Sequence, residues 1–274
     1  MTNAILERLF SLGGKTALVT GGATGIGRMI ATALAAAGAE VFIASRKLEA
    51  CEATAAEINA EGLGGKVIAL AGDVSSEEGV AALANAITER TERLHILVNN
   101  AGVSWGAPLG EFPYAAWNKV MSVNVVGVFA LTQALLPLLE ASASDDDPSR
   151  ILNLGSVMGA QPLSENVYSY AASKAAVHHL TKSLAKELAI RRITVNAFAP
   201  GPFQSKMTAF ATGTDEKAEK IGKGVPLGRI GLADDIAGAA LFVCGRSGAY
   251  ITGAILPIDG GIGVMTGPEL FGET

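Results

Sequence analysis

Short apolar runs alternate with longer amphipathic stretches along almost the whole chain. Residues 15–20, 41–44, 66–71, 96–98, 150–156, 193–198 and 255–258 are apolar runs of strand length, and most are followed directly by glycine, serine, asparagine, aspartate or proline. Runs of that kind read as strands buried on both faces. Between them lie helix-like stretches: one to Ala37, closed by Gly38, one to about Glu61, one to Arg93, and others over 114–140, 170–190 and 234–245. Regular alternation of strand and helix predicts an α/β fold, a doubly wound Rossmann-type domain with a seven-stranded parallel sheet and helices on both faces. Ligands in such sheets bind beyond the carboxyl ends of the strands. The 274 residues contain no linker, so residues 1–274 read as one domain with a short N-terminal extension over 1–13. The polar, glycine-bounded stretch 201–225, with one helical piece, reads as a lid over a substrate.

The carboxyl ends of these runs hold the residues with chemical potential. The first strand opens into Gly21-Gly22-Ala23-Thr24-Gly25-Ile26-Gly27, followed by a helix. A glycine turn between strand and helix lets backbone approach a pyrophosphate, and the helix start offers free N–H groups to it. The second strand ends at Ser45-Arg46 rather than at a carboxylate. A hydroxyl beside a guanidinium suits a ribose 2′-phosphate, a reading preferred to the alternative that Arg46 and Lys47 only start the next helix on a solvated face. Asp73 and Val74 end the third strand; Asp73 can cap the next helix or accept from an adenine amino group, with Ser75 and Ser76 also placed for capping. Asn100, Ala101 and Gly102 follow the fourth strand, Ser156 ends the fifth, and Pro200 and Gly201 follow the sixth. Asn124 falls mid-helix among valines, where its amide is unfavourable unless it has a polar task.

Tyr170 and Lys174 stand four residues apart on a predicted helix, so they share a face. A phenol titrates near ~10, and bringing that down to ~7 takes about 4 kcal/mol of preferential interaction. A partly desolvated ammonium one turn away is expected to lower it. Tyr168 lacks such a partner, since Ala172 lies four residues on. His178 and His179 read as helix histidines rather than metal ligands, and no metal is expected. Trp105, Met158, Pro162, Phe203 and Met207 are apolar residues near the inferred site, suited to core packing or to an apolar substrate pocket.

Composition narrows the partners. A net charge of −5 argues against nucleic acid. Cys51 and Cys244 form no disulfide framework, which points to a reducing cytoplasm. The first ten residues lack the apolar core of a signal peptide, and no uninterrupted apolar run reaches ~18 residues, so no membrane span is expected. Residues 141–149, with Asp145, Asp146 and Asp147, read as a solvated loop and nothing more.

Taken together, Thr20-Gly21-x-x-x-Gly25-Ile26-Gly27, Asn99-Asn100-Ala101-Gly102, Asn124, Ser156, Tyr170-x-x-x-Lys174 and Pro200-Gly201 resemble the short-chain dehydrogenase/reductase family over residues 15–261. Within it the chain is most similar to the β-ketoacyl (3-oxoacyl) reductases. Residues 99–107 and the ending Thr252-Gly253 through Gly261 look like those of the reductase associated with rhamnolipid synthesis. The resemblance implies hydride exchange between a nicotinamide and a carbonyl carbon, with Tyr170 giving the proton and Ser156 steadying the substrate oxygen. It further implies that Lys174 binds the nicotinamide ribose and lowers the tyrosine pKa, and that Asn124 anchors a water. Asp73 and Val74 would meet the adenine, Asn100 to Gly102 the adenosine side, and Phe203 and Ser205 the carboxamide. Ser205 departs from the threonine usual in the family, and Thr24 from the arginine many NADPH-dependent members carry there. NADP(H) is therefore the expected cofactor mainly on Arg46, with NAD(H) as the alternative. Three functions follow: reduction of 3-oxoacyl thioesters or other hydrophobic ketones, NAD-linked oxidation of a small or cyclic alcohol, or nucleotide sensing without turnover. The acidic stretch at 145–147 argues against an acidic carrier protein as bearer of the substrate. By the same resemblance the helices over 114–140 and 170–190 suggest a homotetramer.

Overall fold

The computed structural model describes residues 2–205 and 209–265. Seven strands, β1 (Thr16–Thr20), β2 (Glu40–Ser45), β3 (Lys66–Ala71), β4 (Ile96–Asn99), β5 (Ser149–Leu154), β6 (Ile193–Pro200) and β7 (Ile255–Ile258), form one sheet in the order β3-β2-β1-β4-β5-β6-β7. Every pairing is parallel. The helices are α1 (Thr2–Phe10), α2 (Gly25–Ala36), α3 (Leu48–Ala60), α4 (Glu77–Thr88), α5 (Tyr114–Met121), α6 (Gly127–Ser142), α7 (Tyr168–Leu188), α8 (Ala209–Thr212), α9 (Asp215–Gly222) and α10 (Ala233–Cys244).

Two apolar layers sandwich the sheet because side chains alternate along each strand. β1 sends Ala17 and Val19 to one layer and Leu18 to the other; β2 divides Val41 and Ile43 from Phe42 and Ala44 in the same way. Ile30 and Leu34 of α2 and Ile236 and Val243 of α10 close the first layer. Leu83 and Ile87 of α4, Leu131 and Leu135 of α6, and Leu184 and Leu188 of α7 close the second. The sheet grows in opposite directions from β1 and β4, so their carboxyl ends diverge and open a crevice, which is where such folds bind ligands.

Several expectations change in detail. The helical stretch from Tyr114 is interrupted by a π turn at Ser122–Val126, which contains Asn124. A π turn inserts an extra residue into the helix and turns one side chain out of step. The helix carrying Tyr170 begins two residues earlier, at Tyr168, and β6 runs on to Pro200. The stretch expected to hold one helical piece has two, α8 and α9. Met207 lies outside the described residues. Tyr114–Ser142 is long and apolar enough to cross a membrane, yet half of its most apolar window is buried in the core, against α4 and α7. Cys51 and Cys244 are both buried and unpaired with each other.

The acidic stretch is more than a solvated loop. Asp147 accepts from Lys15 Nζ at 2.5 Å and from Arg150 Nη2 at 2.9 Å, while Asp145 pairs with Arg192. Arg150 is 1 % exposed, and its Nη2 also donates to the Gly245 carbonyl at 3.0 Å. The ammonium and the guanidinium could not stay there unpaired, so sequence-local polarity misleads at this position. The pair sits where β1 and β5 begin, at the edge of the sheet opposite the crevice. It therefore has no bearing on what docks at the carboxyl ends. Asp147→Ala is expected to lower stability by about 3 kcal/mol by stranding the buried guanidinium, whereas Asp145→Ala, which breaks only an exposed pair with Arg192, is expected to leave the urea-unfolding midpoint nearly unchanged; unfolding curves of both variants measure this.

Candidate active site

The crevice is a cavity of about 700 Å³. Its floor is the glycine turn after β1, one wall is the loop after β4, and the other is formed by β5, α7 and the segment after β6. Gly21, Thr24, Gly25, Ile26, Asn100, Ala101, Gly102, Ser156, Tyr170, Lys174, Pro200, Gly201, Phe203 and Ser205 all line it. Gly27 and Asn124 lie behind this surface, and Ser45, Arg46, Asp73 and Val74 lie outside its lining. Val103, Ser104, Gly106 and Val167 line it without having been singled out, and only their place after β4 or before α7 signals them. Trp105 lines it with its indole 43 % exposed. Met158 and Pro162 do not belong to the lining.

The floor fits a dinucleotide. Gly21 and Gly25 have φ of +66° and +55°, the left-handed region. A Cβ on Gly25 would lie 2.9 Å from Ser205 Cβ, so only glycine lets the segment after β6 close down there. Thr24 is the N-cap of α2, yet its hydroxyl makes no capping bond. The first-turn N–H groups of α2 lack intrahelical partners by construction and form an anion-binding end. Asn100 braces this turn: its Nδ2 donates to the Thr20 carbonyl at 2.8 Å and the Gly21 carbonyl at 3.2 Å. The Asn100 and Ala101 N–H groups both donate to Thr20 Oγ1 at 3.0 Å.

At the ends of β2 and β3 the geometry separates roles that sequence left open. The Ser45 hydroxyl donates to the Lys47 carbonyl and accepts from Cys51 Sγ at 3.2 Å, so it is turned inward. Arg46 is exposed. Ser76, not Asp73, caps α4, accepting from the Gly79 N–H at 3.1 Å. Asp73 accepts from the Ser75 N–H at 2.9 Å. Partial burial pushes its carboxyl up, but the bonds from Ser75 and the charge of Arg46 outweigh this and hold it below the usual carboxylate value.

On the other wall, Lys174 is buried, and its Nζ donates to the Leu154 carbonyl at 2.6 Å. That carbonyl ends β5, so the ammonium is fastened to the sheet edge, 5.6 Å from the centroid of the Tyr170 ring. Burial lowers the Lys174 pKa to about 8. Tyr170 behaves differently from expectation: burial of its phenolic end raises its pKa, and the Ser156 hydroxyl pulls against that rise. Lowering by Lys174 is not the dominant effect here, because the phenol is desolvated more than it is compensated. Ser156 is buried two residues beyond β5, with its Oγ accepting from the Met158 N–H at 3.2 Å.

Asn124 earns its place through the π turn. Its Oδ1 accepts from the Val103 N–H, and its Nδ2 donates to the Val103 carbonyl and to Ser173 Oγ, each at 2.9 Å. Ser173 Oγ in turn donates to the Tyr170 carbonyl at 2.7 Å. The amide therefore ties the loop after β4 to the turn bearing Tyr170 and Lys174. Both of its N–H groups are committed to protein, which leaves only lone pairs to anchor a water. The backbone of Gly102 passes close by: a Cβ there would sit 3.4 Å from Asn124 Oδ1 and 3.7 Å from Lys174 Nζ. Tyr168 instead stacks edge-on against Phe112, at 5.8 Å between ring centroids.

A glycine cradle at the point where strand order reverses, with a hydroxyl, a phenol and an ammonium beside it, defines a nucleotide-dependent oxidoreductase of α/β architecture. The family model described as enoyl-(acyl carrier protein) reductase matches residues 21–263, and the chain belongs to the short-chain dehydrogenase/reductase family. It is 48 % identical over 252 residues to the rhamnolipids biosynthesis 3-oxoacyl-[acyl-carrier-protein] reductase of Pseudomonas aeruginosa, covering 92 % of this chain and 97 % of that one. It is 36 % identical to the gluconate 5-dehydrogenase of Gluconobacter oxydans, covering 93 % and 97 %. The solved Pseudomonas aeruginosa RhlG/NADP active-site complex superposes with a TM-score of 0.88 at 48 % identity, covering 93 % of this chain and 99 % of that one.

A buried ammonium is kept at a cost. Its pKa falls from an ordinary 10.5 to about 8, so between those values the unfolded chain holds more protons than the folded one, and stability rises with pH across that window. Below pH 8 the full penalty is present. Lys174→Met is thus expected to stabilise the protein at pH 7 by roughly 2 kcal/mol, after loss of the bond to Leu154, with the gain vanishing toward pH 10.5. Thermal unfolding of both proteins at pH 7 and pH 10 measures this.

Proposed function

We propose that this protein is an NADPH-dependent reductase of 3-oxoacyl-type or other hydrophobic ketones. One observation carries the reading: Ser156, Tyr170 and Lys174 share one wall of a cavity whose floor is a glycine cradle at a helix start. The bound nicotinamide supplies a hydride for the carbonyl carbon. Gly21, Thr24, Gly25, Ile26 and Gly27 hold the pyrophosphate by backbone N–H groups and close approach. Arg46 takes the 2′-phosphate, with the inward-turned Ser45 leaving room for it. Asp73 and Val74 border the adenine, Asn100 to Gly102 the adenosine side, and Pro200, Gly201, Phe203 and Ser205 the carboxamide. Tyr170 donates its proton to the carbonyl oxygen as negative charge develops there, while the Ser156 hydroxyl hydrogen-bonds the same oxygen. Lys174, with a value of about 8, stays an ammonium at neutral pH and supports the phenolate left behind. Asn124 fixes the turn on which both groups stand.

The substrate class rests on the wall opposite. Trp105, 43 % exposed, and Val167 line the cavity with apolar side chains. Such a surface gains from an acyl chain or a hydrophobic ketone and offers little to a polyol. The 48 % identity with a 3-oxoacyl reductase, against 36 % with a gluconate dehydrogenase, supports the same choice. We further assign residues 1–274 to one catalytic unit with residues 201–225 as its lid, working as a homotetramer in the cytoplasm. Exposed Tyr114, Val126 and Phe129 on the helix from Tyr114 support the assembly.

Steady-state rates with acetoacetyl-CoA, a hydrophobic ketone and gluconate, each with both cofactors, test the reading. Reduction of the first two by NADPH supports it, and turnover confined to oxidation of gluconate by NAD+ overturns it. Arg46→Ala is expected to cut kcat/KM for NADPH by 10-fold or more and leave NADH within about twofold, since one charge-assisted hydrogen bond contributes about 1.5–3 kcal/mol.

A further inference from the structure

Ser156 stands in a turn built around a single imidazole. His178 lies one helical turn beyond Lys174 on α7 and is buried, while its neighbour His179 is exposed. The His178 ring fills the space where Gly155 and Gly159 lack side chains. A Cβ on Gly155 would overlap Nε2, and one on Gly159 would come within 2.8 Å of Cε1. The chain from Gly155 to Gly159 therefore wraps the imidazole, with Ser156 at the start of the wrap. The Ser156 N–H donates to His178 Nε2 at 3.4 Å. Nε2 can accept only while the ring is neutral and carries its proton on Nδ1.

We propose that His178 is a positioning residue for the reaction: its neutral imidazole accepts the Ser156 N–H and fills the turn, so that the Ser156 hydroxyl is held beside Tyr170. This rests on Ser156 acting on the substrate oxygen. A protonated ring offers a donor to a donor, loosens the turn and withdraws the hydroxyl. Burial first, then the charges of Lys174 and Lys182, keep the imidazole below its ordinary value near 6.5, so it is neutral at working pH. Those lysines share its helix. The segment 155–159 and the adjoining ends of β5 and β6 carry no ionisable side chain. Protonation of His178 should thus appear as an acid limb in kcat below pH ~6.5, apart from any titration of Tyr170 or Lys174 on the alkaline side.

The test compares His178→Gln, His178→Leu, His179→Leu and Ser156→Ala by kcat and KM for acetoacetyl-CoA reduction with NADPH over pH 5–8. The glutamine keeps an acceptor near Nε2 and cannot titrate. It is expected to hold kcat within about threefold at pH 7.5 and to lose the acid limb. The leucine orphans the Ser156 N–H and is expected to lower kcat about 10-fold while KM and the NADPH Kd stay within about twofold. His179→Leu should change nothing. A glutamine variant that keeps the wild-type acid limb, or a folded leucine variant with unchanged kcat, overturns the proposal. If the leucine variant does not fold, the pH profile of the glutamine variant decides alone. Failure of Ser156→Ala to impair reduction would instead remove the role of Ser156 on which the inference stands.

Discussion

An ammonium held inside the protein, one helical turn from a phenol and fastened to the last carbonyl of β5, is the constraint on which the site depends. Lys174 fixes the register of α7 against the sheet, because moving the helix by one residue would carry Nζ away from Leu154 and leave a buried charge without an acceptor. That register in turn sets Tyr170 facing the cavity, Ser173 under Asn124, and His178 under Ser156. The apolar face of the same helix, through Val177, Leu184 and Leu188, supplies burial that offsets the cost of desolvating the lysine.

The electrostatics show what the protein itself contributes. Burial alone would leave the phenol a poorer acid than in water, and the Ser156 hydroxyl is the group that opposes this. Lys174 is depressed by its own burial but stays above neutrality, so positive charge remains available at pH 7. The site is thus poised rather than fully activated: the cation is present, and its attraction is felt most strongly by the phenolate that forms as the proton leaves. An interaction stronger in the transition state than in the ground state is the kind that accelerates chemistry.

Much of this was legible in the sequence because the signals are local and periodic. The buried strands read as apolar runs, and their order fixed which residues share the carboxyl rim. The glycine turn, Ser156 and the Tyr170–Lys174 spacing needed no tertiary information. What escaped depends on partners distant in the chain. Asp147 looked like one of three solvated acids, yet Lys15 and Arg150 bury their charges against it from both sides. Asn124 looked misplaced in an α-helix because a π turn leaves no clear mark in sequence. His178 and His179 are identical letters, and only the packing of α7 against the Gly155–Gly159 turn separates an inward ring from an exposed one. Capping by Ser76 and the inward hydroxyl of Ser45 were likewise decided by backbone geometry among several suitable neighbours.

The central claim is that the Tyr170 hydroxyl supplies the proton to the reacting oxygen. Tyr170→Phe removes one oxygen atom and keeps the ring, so NADPH binding, followed by cofactor fluorescence, and the far-ultraviolet circular dichroism spectrum should be unchanged. The rate of NADPH-dependent ketone reduction should fall by ~100-fold or more, the range general-acid catalysis commands. Reduction at the wild-type rate by a folded, cofactor-binding Tyr170→Phe protein would contradict the account.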